Sequence, residues 1–129
     1  MAEGKHILIV DDNDDVRDLI VDILAEYDYR VSAASGGPAM RDFLQTGDTV
    51  DCVILDAAMP GEASGSLLTH LKERNIPVII ISGNLDPMMY ATDADNGLQV
   101  LRKPFRLQDL HIAIIVALGT TEFGQRSQR

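Results

Sequence analysis

Five residues at the ends of apolar runs could together do chemistry on a charged group. Asp11 and Asp12 directly follow the run Ile7–Val10, in the stretch HILIVDDNDD, and Asp56 directly follows Cys52–Leu55, in CVILDAAMPG. Carboxylates gathered at the ends of buried runs repel one another and resist ionising together. A hard divalent cation with oxygen ligands removes that conflict, and Mg²⁺, which keeps several of its waters, suits such a set. The same cation draws in a phosphoryl group. Two further run ends supply matching chemistry. Ser82, a small hydroxyl, follows Val78–Ile81, and Gly83 beside it lets an anion approach the backbone closely. Lys103, just beyond Leu98–Leu101, offers a point charge suited to phosphate. A capping role accounts for Asp14 and Asp15, since aspartate favours helix caps and first turns. It leaves Asp56, at the end of a second run, without a reason.

The elements that must position these residues alternate. The apolar runs Ile7–Val10, Val31–Ala34, Cys52–Leu55, Val78–Ile81 and Leu98–Leu101 have strand length, and several are continuous in Val and Ile, as in strands buried on both faces. Between them the spacing is helical. Val16, Leu19, Ile20, Ile23 and Leu24 form one apolar stripe, with Arg17, Asp18, Asp22 and Glu26 on the other faces. Further helices are expected over Pro38–Gln45, Gly65–Arg74, Pro87–Asn96 and Leu107–Leu118. Pro38 and Pro87 suit first turns, Asp86 suits a cap, and Gly97 can close its helix. Strand followed by helix, five times over, predicts an α/β fold with a parallel sheet covered on both faces. In such open sheets ligands bind beyond the carboxyl ends of the strands. If the first and third strands are neighbours, the three aspartates converge there. Residues 1–119 are expected to form one domain and 120–129 a polar, frayed tail.

Composition narrows the function classes. The chain has 129 residues, 46% of them apolar, which supports one domain with a real core. The formal net charge of −9 argues against direct contact with nucleic acid or an anionic membrane surface, and is compatible with a divalent cation or a basic protein. No apolar run has membrane-spanning length and no signal-peptide pattern opens the chain, so a cytoplasmic protein is the expectation. Cys52 is the single cysteine and reads as a small buried hydrophobe. His6, His70 and His111 are scattered without metal-ligand spacing, and Met59, Met88 and Met89 read as packing or surface residues.

The pieces LIVDDN, VILDAAMPG, VIIISGN and LRKPF, in this order and across nearly the whole chain, resemble the receiver domain of two-component response regulators. The resemblance implies a flavodoxin-like, doubly wound, five-stranded parallel sheet of order 2-1-3-4-5. It implies that Asp56 is the phosphoacceptor and that Asp11 and Asp12, with the backbone carbonyl of Ala58, bind Mg²⁺. Ser82 would hydrogen-bond the phosphoryl oxygen and Lys103 would pair with it. The Lys103–Pro104 bond would be cis, aiming Lys103 inward. The implied partners are a histidine kinase or phosphotransfer protein and a downstream protein target, and a homodimer is compatible. With about ten residues left after the last helix, a stand-alone receiver is expected, catalysing its own phosphorylation and slow dephosphorylation.

Two stretches depart from the family's pattern. Receivers usually carry Tyr or Phe three residues before the lysine, where this chain has Val100, a stiff side chain of short reach. Tyr90 is the candidate substitute, and reordering of Asn84–Asn96 the expected switch. The loop after Asp56 reads MPGEASG, one residue longer before Gly65 than the usual run. Val100 motivates an alternative, a receiver-like binding module that works without phosphorylation. A phosphatase using Asp56 is disfavoured, because Ala58 stands where a second acid would be needed.

Overall fold

The computed structural model describes residues 5–56, 64–82, 98–102 and 105–126. Each apolar run forms a strand, one residue longer than the run itself. The order is β1 (His6–Val10), α1 (Asp14–Ala25), β2 (Arg30–Ala34), α2 (Gly37–Gln45), β3 (Cys52–Asp56), α3 (Ser64–Glu73), β4 (Val78–Ser82), β5 (Leu98–Arg102) and α4 (Leu107–Arg126). The sheet is parallel throughout, in the order β2-β1-β3-β4-β5.

The continuous apolar runs have a simple cause: both faces of the sheet are covered. Alternate residues point to opposite sides of a strand. Ile7, Ile9, Ile54, Ile79 and Ile81 pack with Ile20 and Leu24 of α1 and with Leu110 and Ile114 of α4. Leu8, Val10, Val53, Leu55 and Ile80 pack with Met40 and Leu44 of α2 and with Leu67 and Leu71 of α3. Burying each such side chain contributes roughly 1.5–3 kcal/mol. The central strands β1 and β3 are buried along their whole length, whereas the edge strand β2 is partly exposed.

Local chemistry sets the helix ends. Asn13 caps α1, its side chain accepting the Val16 N–H at 3.0 Å, and Asp14 and Asp15 fill the first turn. Pro38 occupies the first turn of α2, as expected. Beyond α3, Asn75 adopts the left-handed conformation (φ 60°). The Ile76 N–H then reaches back to the Leu71 carbonyl at 3.1 Å and the Asn75 N–H to the Lys72 carbonyl at 3.0 Å, so the helix closes without glycine.

Two expectations need correction. Leu19 does not join the buried stripe of α1 but is 59% exposed, because Ile20 and Leu24 face the sheet and Val16 and Ile23 flank them. The last helix does not stop at Leu118. It continues through Gly119 to Arg126, since no proline interrupts the backbone ladder and adding a turn to an existing helix needs no new nucleus. The helix expected over Pro87–Asn96, with Asp86 and Gly97, lies outside the described residues.

Candidate functional site

Strand pairing decides whether the acidic residues meet. β1 and β3 are direct neighbours, with Val10 opposite Leu55. The residues that follow, Asp11 and Asp56, therefore emerge side by side at the carboxyl edge. Asp56 is the last residue of β3, paired with Ile81 of β4. Asp11, Asp12 and Asp56 each bring one carboxylate oxygen within 4.8 Å of the others. Asp11 and Asp56 are buried, at 2% and 6% exposure, while Asp12 faces solvent. The site is thus a small acidic pocket with two walls inside the protein and one side open to water.

The loop carrying the first two aspartates is held from several directions. The Asp11 N–H donates to the Ala34 carbonyl at 3.1 Å, which ties the end of β1 to β2. Asp11 Oδ1 accepts the Asn13 N–H at 2.9 Å. Arg17 Nη1 donates to the Asp11 carbonyl at 2.7 Å, and Arg17 Nη2 pairs with the Asp14 carboxylate. Neither Asn13 nor Arg17 stands out as a site residue in the sequence. Asn is a preferred cap type, and Asp14 and Arg17 have the spacing of helix neighbours. Those signals indicate helix support; only the folded loop shows that they act on Asp11.

Three oxygen donors, one open to solvent, fit a small hard cation that retains several waters. The nearby strand ends continue the same edge. Ser82 is the last residue of β4, one past the residue opposite Asp56, and it pairs with Arg102 at the end of β5. Val100 lies opposite Ile80 on β5 and is 38% exposed. Ala58, Gly83, Tyr90, Lys103 and Pro104 lie outside the described residues, as do the segment Asn84–Asn96 and Met59, Met88 and Met89.

The remaining candidates serve the scaffold. His6 is buried, its Nδ1 2.8 Å from the Thr49 carbonyl and its Nε2 2.7 Å from Ser32 Oγ, at the opposite end of the sheet. His70 accepts from Arg74 Nε at 3.3 Å. His111 stacks on Tyr27 with ring centroids 3.9 Å apart. Cys52 is fully buried, and that burial, with a smaller contribution from Asp51, pushes its thiol pKa up to about 12. A thiol so poorly ionised is a weak nucleophile, in keeping with its reading as a small hydrophobe.

A doubly wound parallel sheet with an acidic pocket at its carboxyl edge is the architecture of α/β proteins that bind charged ligands at strand ends. Residues 7–115 match the family described as the response regulator receiver domain, and the chain belongs to that family. The chain is 31% identical over 126 residues to the two-component response regulator ARR17 of Arabidopsis thaliana, covering 85% of this chain and 82% of that protein. It is 30% identical over 119 residues to the transcriptional regulatory protein YrkP of Bacillus subtilis, covering 88% of this chain but 49% of YrkP, so it spans about half of that relative's length. Among solved structures, a response regulator receiver domain protein from Clostridium thermocellum is similar at a TM-score of 0.82 and 29% identity, over 92% of this chain and 98% of that one. The expected fold, strand order and family are therefore all found. Among the described residues, no helix is long and apolar enough to cross a membrane.

Proposed function

We propose that this receiver domain accepts a phosphoryl group from a phosphohistidine onto Asp56 and passes the signal on through protein contacts. The observation that carries the reading is the convergence of Asp11, Asp12 and Asp56 at the ends of two adjacent central strands. Three carboxylate oxygens within 4.8 Å of one another repel, and a shared cation relieves that repulsion. Asp56 is the acceptor because it ends the central strand β3 and faces the other two.

In the reaction, a carboxylate oxygen of Asp56 attacks phosphorus in line. The phosphorus–nitrogen bond breaks, the electron pair leaves with the imidazole, and a mixed anhydride forms on Asp56. Asp11, Asp12, Asp56 and the Ala58 carbonyl would hold Mg²⁺, which supplies charge neutralisation to the phosphoryl oxygens. Burial of Asp11 and Asp56 keeps bulk water off one side of the pocket, and the open side at Asp12 admits the donor. Ser82, with Gly83 beside it, and Lys103 after β5 would complete the contacts to the transferred group. Hydrolysis follows when water attacks the same phosphorus and Asp56 is restored. The donor would be a histidine kinase or phosphotransfer protein in the cytoplasm, and the receiver of the signal a downstream protein.

The test is incubation with Mg²⁺ and a small phosphoramidate or acyl phosphate, read by intact mass. The expected result is a gain of one phosphoryl group, lost in EDTA and in Asp56→Asn. Full labelling of Asp56→Asn refutes the assignment. Val100, exposed where the family usually has an aromatic ring, supports the second reading, a binding module independent of phosphorylation. Absence of any mass gain in the wild type would favour it.

A further inference from the structure

Asp12 is the one member of the acidic set that faces solvent, so burial does not set its direction. Its Cα lies between two peptide planes, and both are pinned. The plane before it carries the Asp11 carbonyl, which accepts from Arg17 Nη1 at 2.7 Å. The plane after it carries the Asn13 N–H, which donates to Asp11 Oδ1 at 2.9 Å. Arg17 is itself fixed: it is part of α1, its second guanidinium nitrogen pairs with Asp14, and its side chain is only 17% exposed. The planar fork of arginine holds two acceptors at once in a way that an ammonium cannot.

We infer that Arg17 is a positioning residue of the metal site, holding the Asp11–Asp12 peptide so that the Asp12 carboxylate is presented toward Asp11 and Asp56 before any cation arrives. The inference rests on the proposed Mg²⁺ reading and deepens it. Arg17 binds the backbone carbonyl and Asp14, which lie beside the acidic set and outside it. It thereby orders the loop without taking the place of a cation among the three carboxylates.

The sign of the effect separates positioning from simple electrostatics. A guanidinium near a divalent cation repels it, so through-space charge alone predicts that removing Arg17 tightens Mg²⁺ binding. Positioning predicts the opposite. Partners that orient metal ligands typically account for about 10–100-fold in affinity. Because Arg17 acts on one exposed ligand of the set, the lower end is expected.

The experiment is calorimetric titration of the whole chain with MgCl₂ at fixed ionic strength, for the wild type, Arg17→Met and Arg17→Lys. Hydrogen exchange of each chain in EDTA accompanies it. The expected dissociation constants rise about ten-fold for Arg17→Met and by a smaller factor for Arg17→Lys, which keeps the charge but loses the fork. In EDTA, the Asn13 amide should exchange faster in Arg17→Met, while protection in β1 and β3 is unchanged. That last readout separates loop positioning from a general loss of fold. Equal or tighter Mg²⁺ binding by folded Arg17→Met overturns the inference. If that variant does not fold, wild-type affinity in Arg17→Lys overturns it instead. Failure of the wild type to bind Mg²⁺ is a different result: it removes the metal reading, and the positioning role with it.

Discussion

Replacing Asp56 by asparagine should make the metal-free protein more stable, not less. Asp11 and Asp56 are both buried, with carboxylate oxygens within 4.8 Å. At that separation two unit charges repel by about 3.5 kcal/mol with an effective dielectric of about 20. The open side of the pocket and neighbouring groups screen part of this, leaving a gain of about 1–2 kcal/mol for the folded state. Asparagine preserves the shape of the side chain, and its NH₂ can donate to the Asp11 carboxylate where a second carboxylate only repels it. For a domain of this size each kcal/mol moves the melting temperature by about 3–5 °C. Asp56→Asn in EDTA should therefore melt about 3–10 °C higher than wild type by calorimetry. Saturating Mg²⁺ should narrow the gap, because a cation at 100 times its dissociation constant stabilises the wild type by about 2.7 kcal/mol and finds fewer ligands in the variant. A melting temperature at or below that of wild type in EDTA would show instead that contacts made by Asp56 outweigh its repulsion.

Other expectations follow from the scaffold. Leu19→Ser should change stability by less than about 0.5 kcal/mol, whereas Ile20→Ala should cost about 2–5 kcal/mol in urea unfolding; equal costs would mean that Leu19 is buried after all. Asn13→Ala removes the cap of α1 and should cost about 1 kcal/mol, read from the same unfolding curves. Cys52 should resist alkylation in the folded protein at neutral pH and react freely in denaturant. Its raised pKa also gives a sign. The folded thiol keeps its proton up to about pH 12, while the unfolded one loses it from about pH 9. Stability from this group is thus complete below pH 9 and lost as pH climbs toward 12. An alkaline titration of Cys52→Ala should show a shallower decline, and an identical one would exclude this contribution.

Much of this fold is legible in the amino-acid order, because the same physics repeats along the chain. The runs ILIV, CVIL and VIII are apolar without interruption, short and rich in Val and Ile, as strands buried on both faces are. The placing of Asp11 and Asp56 at run ends is legible for the same reason. Their meeting depends on β1 and β3 being neighbours, a long-range fact that the run ends alone do not encode. Three residues show where the pattern stops informing. Leu19 has the spacing of a core residue because a helical stripe has some width, and which margin turns to water is settled by the neighbouring elements. Gly119 and the polar residues after it weaken a helix locally and so suggest an end at Leu118, whereas a helix already formed extends over them. Arg17 belongs to a solvent face by periodicity. Its length lets it fold back onto the Asp11 carbonyl, a contact set by the loop and not by the pattern.

The most direct test is to locate the phosphoryl group. The chain is phosphorylated with a small donor and Mg²⁺, then treated with borohydride, which reduces an aspartyl phosphate to homoserine, and digested for peptide mass mapping. Conversion is expected at Asp56, dependent on Mg²⁺, with Asp11 and Asp12 unmodified. Conversion at Asp11 or Asp12, or a stable phosphate elsewhere with Asp56 intact, would contradict it.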